Sequence, residues 1–472
     1  MIKVDYNLLE EITELTSSDW SASDYIYPPV VAWDKFRGKT FNYRFSSDSN
    51  FYIYIHLPFC KTRCTFCRYY SKPVVRASLY KKYTDLIIQE IKIWARKINI
   101  PKEKIKLKSI YFGGGTPTLF DLNKIFDEII KHFPLNYLEQ VNIETTPESL
   151  DTLNKILFLK KHGLNAISRI MIGAQSLDTK VLKAINRSQS QKKDIKKAFY
   201  LCKNARIKTI GVDMIVGLPK QTEESLLKDV KFLIKLKPQV IHLYGLVKSP
   251  TTALSGKEFF IIKKLEPIMK KAKKILIRSH YKSNRYTEFD TEWLYKGNEK
   301  FQNKQIFLIP NEPQKLNCKI CIGPSAMGYI TFPNGEKKIP KRVMFINTWN
   351  FDEYEKKICG GKLAIDKYYK FNTPEDEKRS YIIRNLKNDT LDYGLYKKKF
   401  GTSILCDFSE ELMLVKKHFE GREECVESNS KLAFSSNSKR ERMVLARLFY
   451  SSKIFNRCMD IMPSPIFQTA NG

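Results

Sequence analysis

The sequence predicts an α/β fold built on a parallel sheet, and three observations carry that expectation. Strand-like apolar segments recur six times between Phe51 and Val247. Amphipathic, helix-like segments separate them. The chain of 472 residues, 43% hydrophobic, is long enough to bury such a core. Parallel neighbours need crossover connections, which the intervening helices supply.

The strands are expected at Phe51–Ile55, Leu107–Phe112, Gln140–Glu144, Ala166–Ile172, Thr209–Val216 and Val240–Val247. The helices are expected at Leu79–Lys97, Leu122–His132, Ser149–His162, Lys192–Asn204 and Glu223–Leu236. The last follows Thr222, whose hydroxyl can cap a free amide, and carries Glu223 and Glu224 where the helix dipole favours them. Thr209–Val216 is almost continuously apolar, as a helix-covered sheet requires. Near the N-terminus a short helix, Tyr6–Leu15, and an extended Tyr27-Pro28-Pro29 are expected. After about residue 255 the alternation is lost. The expected organisation is an N-terminal arm (1–50), a core (51–255), a mixed segment of lysine-rich helix, loops and short strands (256–373), and a mostly helical C-terminal domain (374–472).

Composition narrows the function. Lysine and arginine number 82 against 50 acidic residues, a net charge of +32. The excess is spread along the chain, and in its densest run, Lys263–Arg278, the apolar Leu265, Ile268, Met269, Ala272, Ile275 and Leu276 follow helical spacing. Those lysines form a solvated face, so a dedicated nucleic-acid surface is not expected. No apolar run is long enough for a membrane span. The acidic, non-apolar start is not a secretory signal, and a cytoplasmic location is expected. In a reducing compartment the ten cysteines are thiols or metal ligands rather than disulfides.

Three of them, Cys60, Cys64 and Cys67, are spaced C-x3-C-x2-C in a loop just past a strand. Three thiolates can hold a [4Fe–4S] cube and leave one iron open to a chelating substrate. The same thiolates with a histidine such as His56 could instead hold zinc. Directly after the second strand comes Gly113-Gly114-Gly115-Thr116-Pro117-Thr118, either a tight turn or a close approach of backbone to ligand. It sits at the C-terminal end of a parallel strand, where ligands bind in this architecture. Period-2 alternation puts Gly211, Asp213, Ile215 and Gly217 on one strand face, and Arg169, Met171, Gly173 and Gln175 on one face of another. A carboxylate such as Asp213 in an apolar strand needs a partner or a wet cavity.

The segments Tyr54–Cys67, Gly113–Thr118, Ile167–Asp178, Ala184–Arg187, Gly211–Gln221 and Cys321–Met327 resemble the radical S-adenosylmethionine (SAM) enzymes. More narrowly, they resemble the oxygen-independent coproporphyrinogen III oxidases and their relatives. Glu375–Gly401 and Leu445–Tyr450 match more loosely. The resemblance implies a core that is a partial (β/α)6 TIM-like barrel, with a [4Fe–4S] cluster on Cys60, Cys64 and Cys67 as the catalytic centre. It implies two SAM molecules. The first would be held by Tyr54, Gly114, Glu144 and the Met327 backbone, the second by Phe66, Gly115, Thr116, Gln175, Arg187, Asp213 and Val247. It also implies a one-electron reductant such as flavodoxin or ferredoxin, and a small-molecule or natural-product substrate.

The chain departs from the oxidase pattern in two places. Tyr69 stands where the oxidases carry a fourth cysteine, and Glu144-Thr145-Thr146-Pro147 replaces the usual Glu-Ala-Asn-Pro. Relatives lacking that cysteine include class C radical SAM methyltransferases and haem carriers. The expectation is therefore a 5′-deoxyadenosyl radical used for methyl or methylene transfer to an unactivated carbon. Oxidative decarboxylation of coproporphyrinogen is the alternative, and a haem-binding carrier the third reading. Tyr27 and Trp33 are expected either to close over the barrel mouth or to pack as an arm. Cys318 and Cys321 are expected to be two reduced thiols. Cys202, Cys359, Cys406, Cys425 and Cys458 are expected to be structural, and His132, His162, His242, His280 and His418 lack ligand spacing.

Overall fold

The computed structural model describes residues 27–37, 45–67, 69–246, 252–254, 262–287, 290–295, 316–333, 341–371, 373–387, 390–423, 425–434, 442, 445–451 and 453. The expected helix Tyr6–Leu15, together with Val247 and Cys458, lies outside them.

All six expected strands form: β1 (Asn50–Leu57), β2 (Lys106–Gly114), β3 (Gln140–Thr145), β4 (Ser168–Gln175), β5 (Thr209–Val216) and β6 (Val240–Gly245). They pair in that order, each parallel to the next. The crossovers carry α1 (Ala77–Ile98), α2 (Leu122–His132), α3 (Leu157–Lys161), α4 (Thr179–Ala184), α5 (Lys192–Asn204) and α6 (Glu223–Leu236). The Thr222 hydroxyl does cap α6, accepting from the Ser225 amide at 3.1 Å. On β5, Ile210, Val212, Met214 and Val216 are buried in the core that the helices cover. The opposite face carries Asp213, which lines the cavity described below.

The helix expected over Ser149–His162 is instead a single turn at Leu153–Lys155 followed by the short α3. The Ser149 hydroxyl bonds with those of Thr118 and Thr145, and it accepts from the Thr146 amide at 3.1 Å. Such side-chain bonds compete with the helical ladder and hold this stretch as a turn.

The mixed segment extends the same sheet from both edges. Strands β7 (Tyr281–Thr287) and β8 (Asp290–Tyr295) form a hairpin, with β8 antiparallel to β6. On the other side β9 (Asn317–Ile322) runs parallel to β1, and β10 (Met327–Phe332), β11 (Lys341–Asn347) and β12 (Ile365–Phe371) follow antiparallel. The two-residue strand Asp34–Lys35 pairs with β12. The sheet therefore has thirteen strands among the described residues and is mixed, with a parallel block of β9 and β1 to β6. The alternation fades after residue 255 because antiparallel neighbours need no crossover helix.

The C-terminal part contains helices Pro374–Lys387, Tyr393–Phe400, Ile404–Asp407 and Ser409–His418. It also holds a three-stranded sheet of Thr390–Asp392, Cys425–Glu427 and Lys431–Phe434, beside the helices expected for most of this part. Tyr27 and Trp33 belong to its apolar cluster, and Tyr27 Oη donates to Ser451 Oγ at 3.3 Å. The N-terminal segment is thus a packed arm, with neither residue on the wall of the cavity described below. No helix among the described residues is long and apolar enough to cross a membrane.

Candidate active site

A cavity of about 300 Å³ opens at the C-terminal ends of the parallel strands. The loop after β1 supplies Cys60, Cys64, Phe66 and Cys67 to its wall. The glycine motif supplies Gly114, Gly115 and Thr116, β3 supplies Glu144, and Gln175, Arg187 and Asp213 complete the expected set. Tyr54 and Met327 are the exceptions. Tyr54 Oη lies 2.9 Å from His56 Nδ1, behind the wall, and Met327 packs toward the C-terminal apolar cluster.

The glycines earn their place by fitting against the cysteine loop. The Gly115 amide donates to Leu57 O at 2.8 Å and the Thr116 amide to Phe59 O at 2.9 Å. A Cβ on Gly115 would fall 2.6 Å from Phe59 O, so only glycine allows this approach. The Thr116 hydroxyl reaches Cys60 Sγ at 3.4 Å. The motif therefore pins the loop to β2 and donates to one of its sulfurs.

The donor set fits an iron–sulfur cluster. Burial pushes the Cys60 thiol up to about 11 and the Cys64 thiol up to about 12, so thiolates there need a cation to stabilise them. In a cube each thiolate takes its own iron, so three sulfurs around one cavity suffice. Among the described residues no three Cys, His, Asp or Glu side chains could hold a single ion. The zinc alternative fails on His56, whose Nδ1 faces Tyr54 and whose Nε2 lies 2.9 Å from Tyr70 O. Burial draws the His56 pKa down to about 4, leaving the ring neutral.

The rest of the wall fits a polar ligand. Gln175 Oε1 is buried with no hydrogen-bond partner, a cost that a ligand donor would remove. Glu144 accepts from Tyr111 Oη and, at 3.2 Å, from the Gly114 amide. Burial and the nearby Asp213 nonetheless push its carboxyl up to about 7. Asp213 Oδ1 lies 2.9 Å from His242 Nδ1, which in turn lies 2.8 Å from Tyr244 Oη. This supplies the partner that a carboxylate in β5 requires.

Sequence reasoning missed several of these groups. Tyr111 was visible through its period-2 relation to Gly113. His242 was set aside for lack of ligand spacing, yet it serves as a carboxylate partner. Lys319 on β9 lies buried with Nζ 4.9 Å from the Tyr54 ring centroid, and burial draws its ammonium down to about 8. Glu148, past Pro147, also lines the cavity and had no periodic signal. Cys318 and Cys321 are i and i+3 on one strand and point to opposite faces. Their thiols donate to Thr331 O and Ala326 O, so they form no metal pair.

The cysteine loop, the glycine motif and the strand-end cavity are the parts of a SAM-dependent iron–sulfur protein, and residues 54–233 match the model of the radical SAM superfamily. That stretch of the chain is a radical SAM domain. The chain's relatives include oxygen-independent coproporphyrinogen III oxidases and haem chaperones. It is 26% identical over 385 residues to the oxygen-independent coproporphyrinogen III oxidase of Helicobacter pylori, covering 78% of this chain and 79% of that protein. It is 28% identical over 290 residues to the haem chaperone HemW of Buchnera aphidicola subsp. Schizaphis graminum, covering 60% of this chain and 71% of that protein. The fold is similar to coproporphyrinogen III oxidase (HemN) from Escherichia coli, with a TM-score of 0.67 and 19% identity, covering 86% of this chain and 91% of that one. A radical SAM domain implies a [4Fe–4S] cluster and SAM. None of these relatives supports the expected methyl transfer, and that expectation gives way to the oxidase and haem readings.

Proposed function

We propose that this chain is a radical SAM oxidase acting on a carboxylate-bearing tetrapyrrole of the coproporphyrinogen kind. The observation that carries the reading is that the oxidase relative is matched along most of both chains, beyond the radical SAM domain. When bound, the reduced cluster and SAM supply a 5′-deoxyadenosyl radical that abstracts hydrogen.

The protein's own residues bind, orient and exclude water. Cys60, Cys64 and Cys67 hold the cluster, with Thr116 Oγ1 donating toward Cys60. Glu144, kept in place by Tyr111 and the Gly114 amide, accepts ribose hydroxyls. Gln175 Oε1 accepts from a ligand donor, Arg187 binds a carboxylate, and Asp213, steadied by His242, accepts from an amine or ribose. A flavodoxin or ferredoxin is the fitting reductant.

A second reading, a haem carrier with little turnover, is favoured by Tyr69. This exposed residue stands where the oxidases keep a fourth cysteine. Anaerobic turnover separates the two. The oxidase reading expects about four irons per chain, conversion of coproporphyrinogen III to protoporphyrinogen, and 5′-deoxyadenosine without S-adenosylhomocysteine. Cys64→Ala should remove both the iron and the activity. Haem binding with no decarboxylation supports the carrier, and S-adenosylhomocysteine as a stoichiometric product would overturn both.

A further inference from the structure

Arg187 and Glu148 meet at the cavity wall from separate segments, one just after α4 and the other in the turn after β3. The Arg187 guanidinium donates from Nη1 to Gly173 O at 2.8 Å and from Nη2 to Ser190 Oγ at 3.3 Å. Glu148 Oε1 accepts from Thr146 Oγ1 at 2.8 Å, and its Oε2 accepts from Ser190 Oγ. The two charges themselves stand 3.7 Å apart, within ion-pair range but too far for a hydrogen bond. Their hydrogen bonds go to neutral partners, and the attraction between the two charges acts across the gap. Burial alone would raise the Glu148 pKa, but Arg187 and the Ser190 and Thr146 hydroxyls outweigh it and hold it below the usual range.

A fixed positive and a fixed negative group side by side make a selective surface. A simple anion is attracted by Arg187 and repelled by Glu148, and a simple cation the reverse. An α-amino acid head carries an ammonium and a carboxylate on one carbon and satisfies both at once. The resemblance assigns Arg187 to the second SAM, whose carboxylate a guanidinium can bind, and leaves Glu148 without a role.

We propose that Glu148 binds the ammonium of an S-adenosyl amino acid beside the cluster, forming with Arg187 a subsite for zwitterions. The proposal rests on the radical SAM reading and adds a specificity residue to it.

The test is equilibrium binding to the cluster-loaded protein, with no substrate turnover. Wild type should bind two equivalents of SAM. Decarboxylated SAM, which keeps the ammonium and lacks the carboxylate, should displace the second, but only at higher concentration than SAM itself needs. Glu148→Gln should weaken the second equivalent, and displacement by the decarboxylated analogue, each by about tenfold or more. The first equivalent should be unchanged, which controls for folding. Glu148→Asp should restore part of the loss. If Glu148→Gln weakens SAM but leaves the decarboxylated analogue unaffected, Glu148 merely steadies Arg187 and the proposal is wrong. A wild type that binds a single equivalent also overturns it. Loss of coproporphyrinogen decarboxylation with two-site binding intact would sink the oxidase reading and leave this subsite standing.

Discussion

Glu90 on α1 and Glu144 at the end of β3 are both glutamates that burial pushes up to about 7, yet their surroundings differ. Glu90 accepts from Tyr354 Oη at 2.6 Å, the Gly323 amide at 2.7 Å and Asn347 Nδ2 at 2.8 Å. These donors come from α7 (Phe351–Cys359), from the turn after β9 and from the end of β11. Glu90 thus knots four segments together on the helix side of the sheet. Glu144 has two donors and one side open to the cavity. The same desolvation is offset internally in one place and left for a ligand in the other. A raised pKa alone therefore does not separate a structural carboxylate from a binding one, whereas the completeness of its donor set does.

The largest expected effect falls on the structural member. Glu90→Ala strands three buried donors and should lower stability by about 3–5 kcal/mol, read by denaturant unfolding, while SAM affinity per folded molecule stays unchanged. Glu144→Gln should do the reverse, weakening SAM by about 10–100-fold in equilibrium dialysis. It should also leave the ligand-free protein at least as stable at pH 8.

The sign of that second effect follows from the raised pKa. A carboxyl titrating near 4.5 unfolded and about 7 folded carries no penalty below the first value, and the full penalty above the second. Ligand-free stability should fall as pH rises from about 5 to 7, and less steeply in Glu144→Gln. An unchanged slope would show that Glu144 is ionised without its ligand. The smallest effect belongs to Cys318→Ser combined with Cys321→Ser, which should leave iron content unchanged. A drop in bound iron would show that these thiols reach the cluster.

Much of the core was legible because period-2 alternation and apolar runs report local rules. β1 to β6 appear where expected, and the faces assigned to Asp213 and Gln175 do line the cavity. The cysteine spacing and the glycine run were legible because both lie within short stretches of chain. What stayed hidden depends on distant partners. The fate of Ser149 was decided by hydroxyls at Thr118 and Thr145, and the role of Glu148 by Arg187, 39 positions further along the chain. The strands beyond residue 255 were seen only as fragments because antiparallel addition leaves no helical rhythm between them.

The pairing of β9 with β1 has a consequence for the order in which the protein is assembled. The Asn50 and Asn317 side chains bond at 3.2 Å across a separation of 267 residues. The strand that leads into the cysteine loop gains β2 as a neighbour early in synthesis, but its other edge stays bare until residue 322 has emerged. A bare edge invites wrong pairing, and contacts between such distant segments form slowly. Iron loading that depends on a settled loop therefore waits for β9 rather than following directly on synthesis of the cysteines.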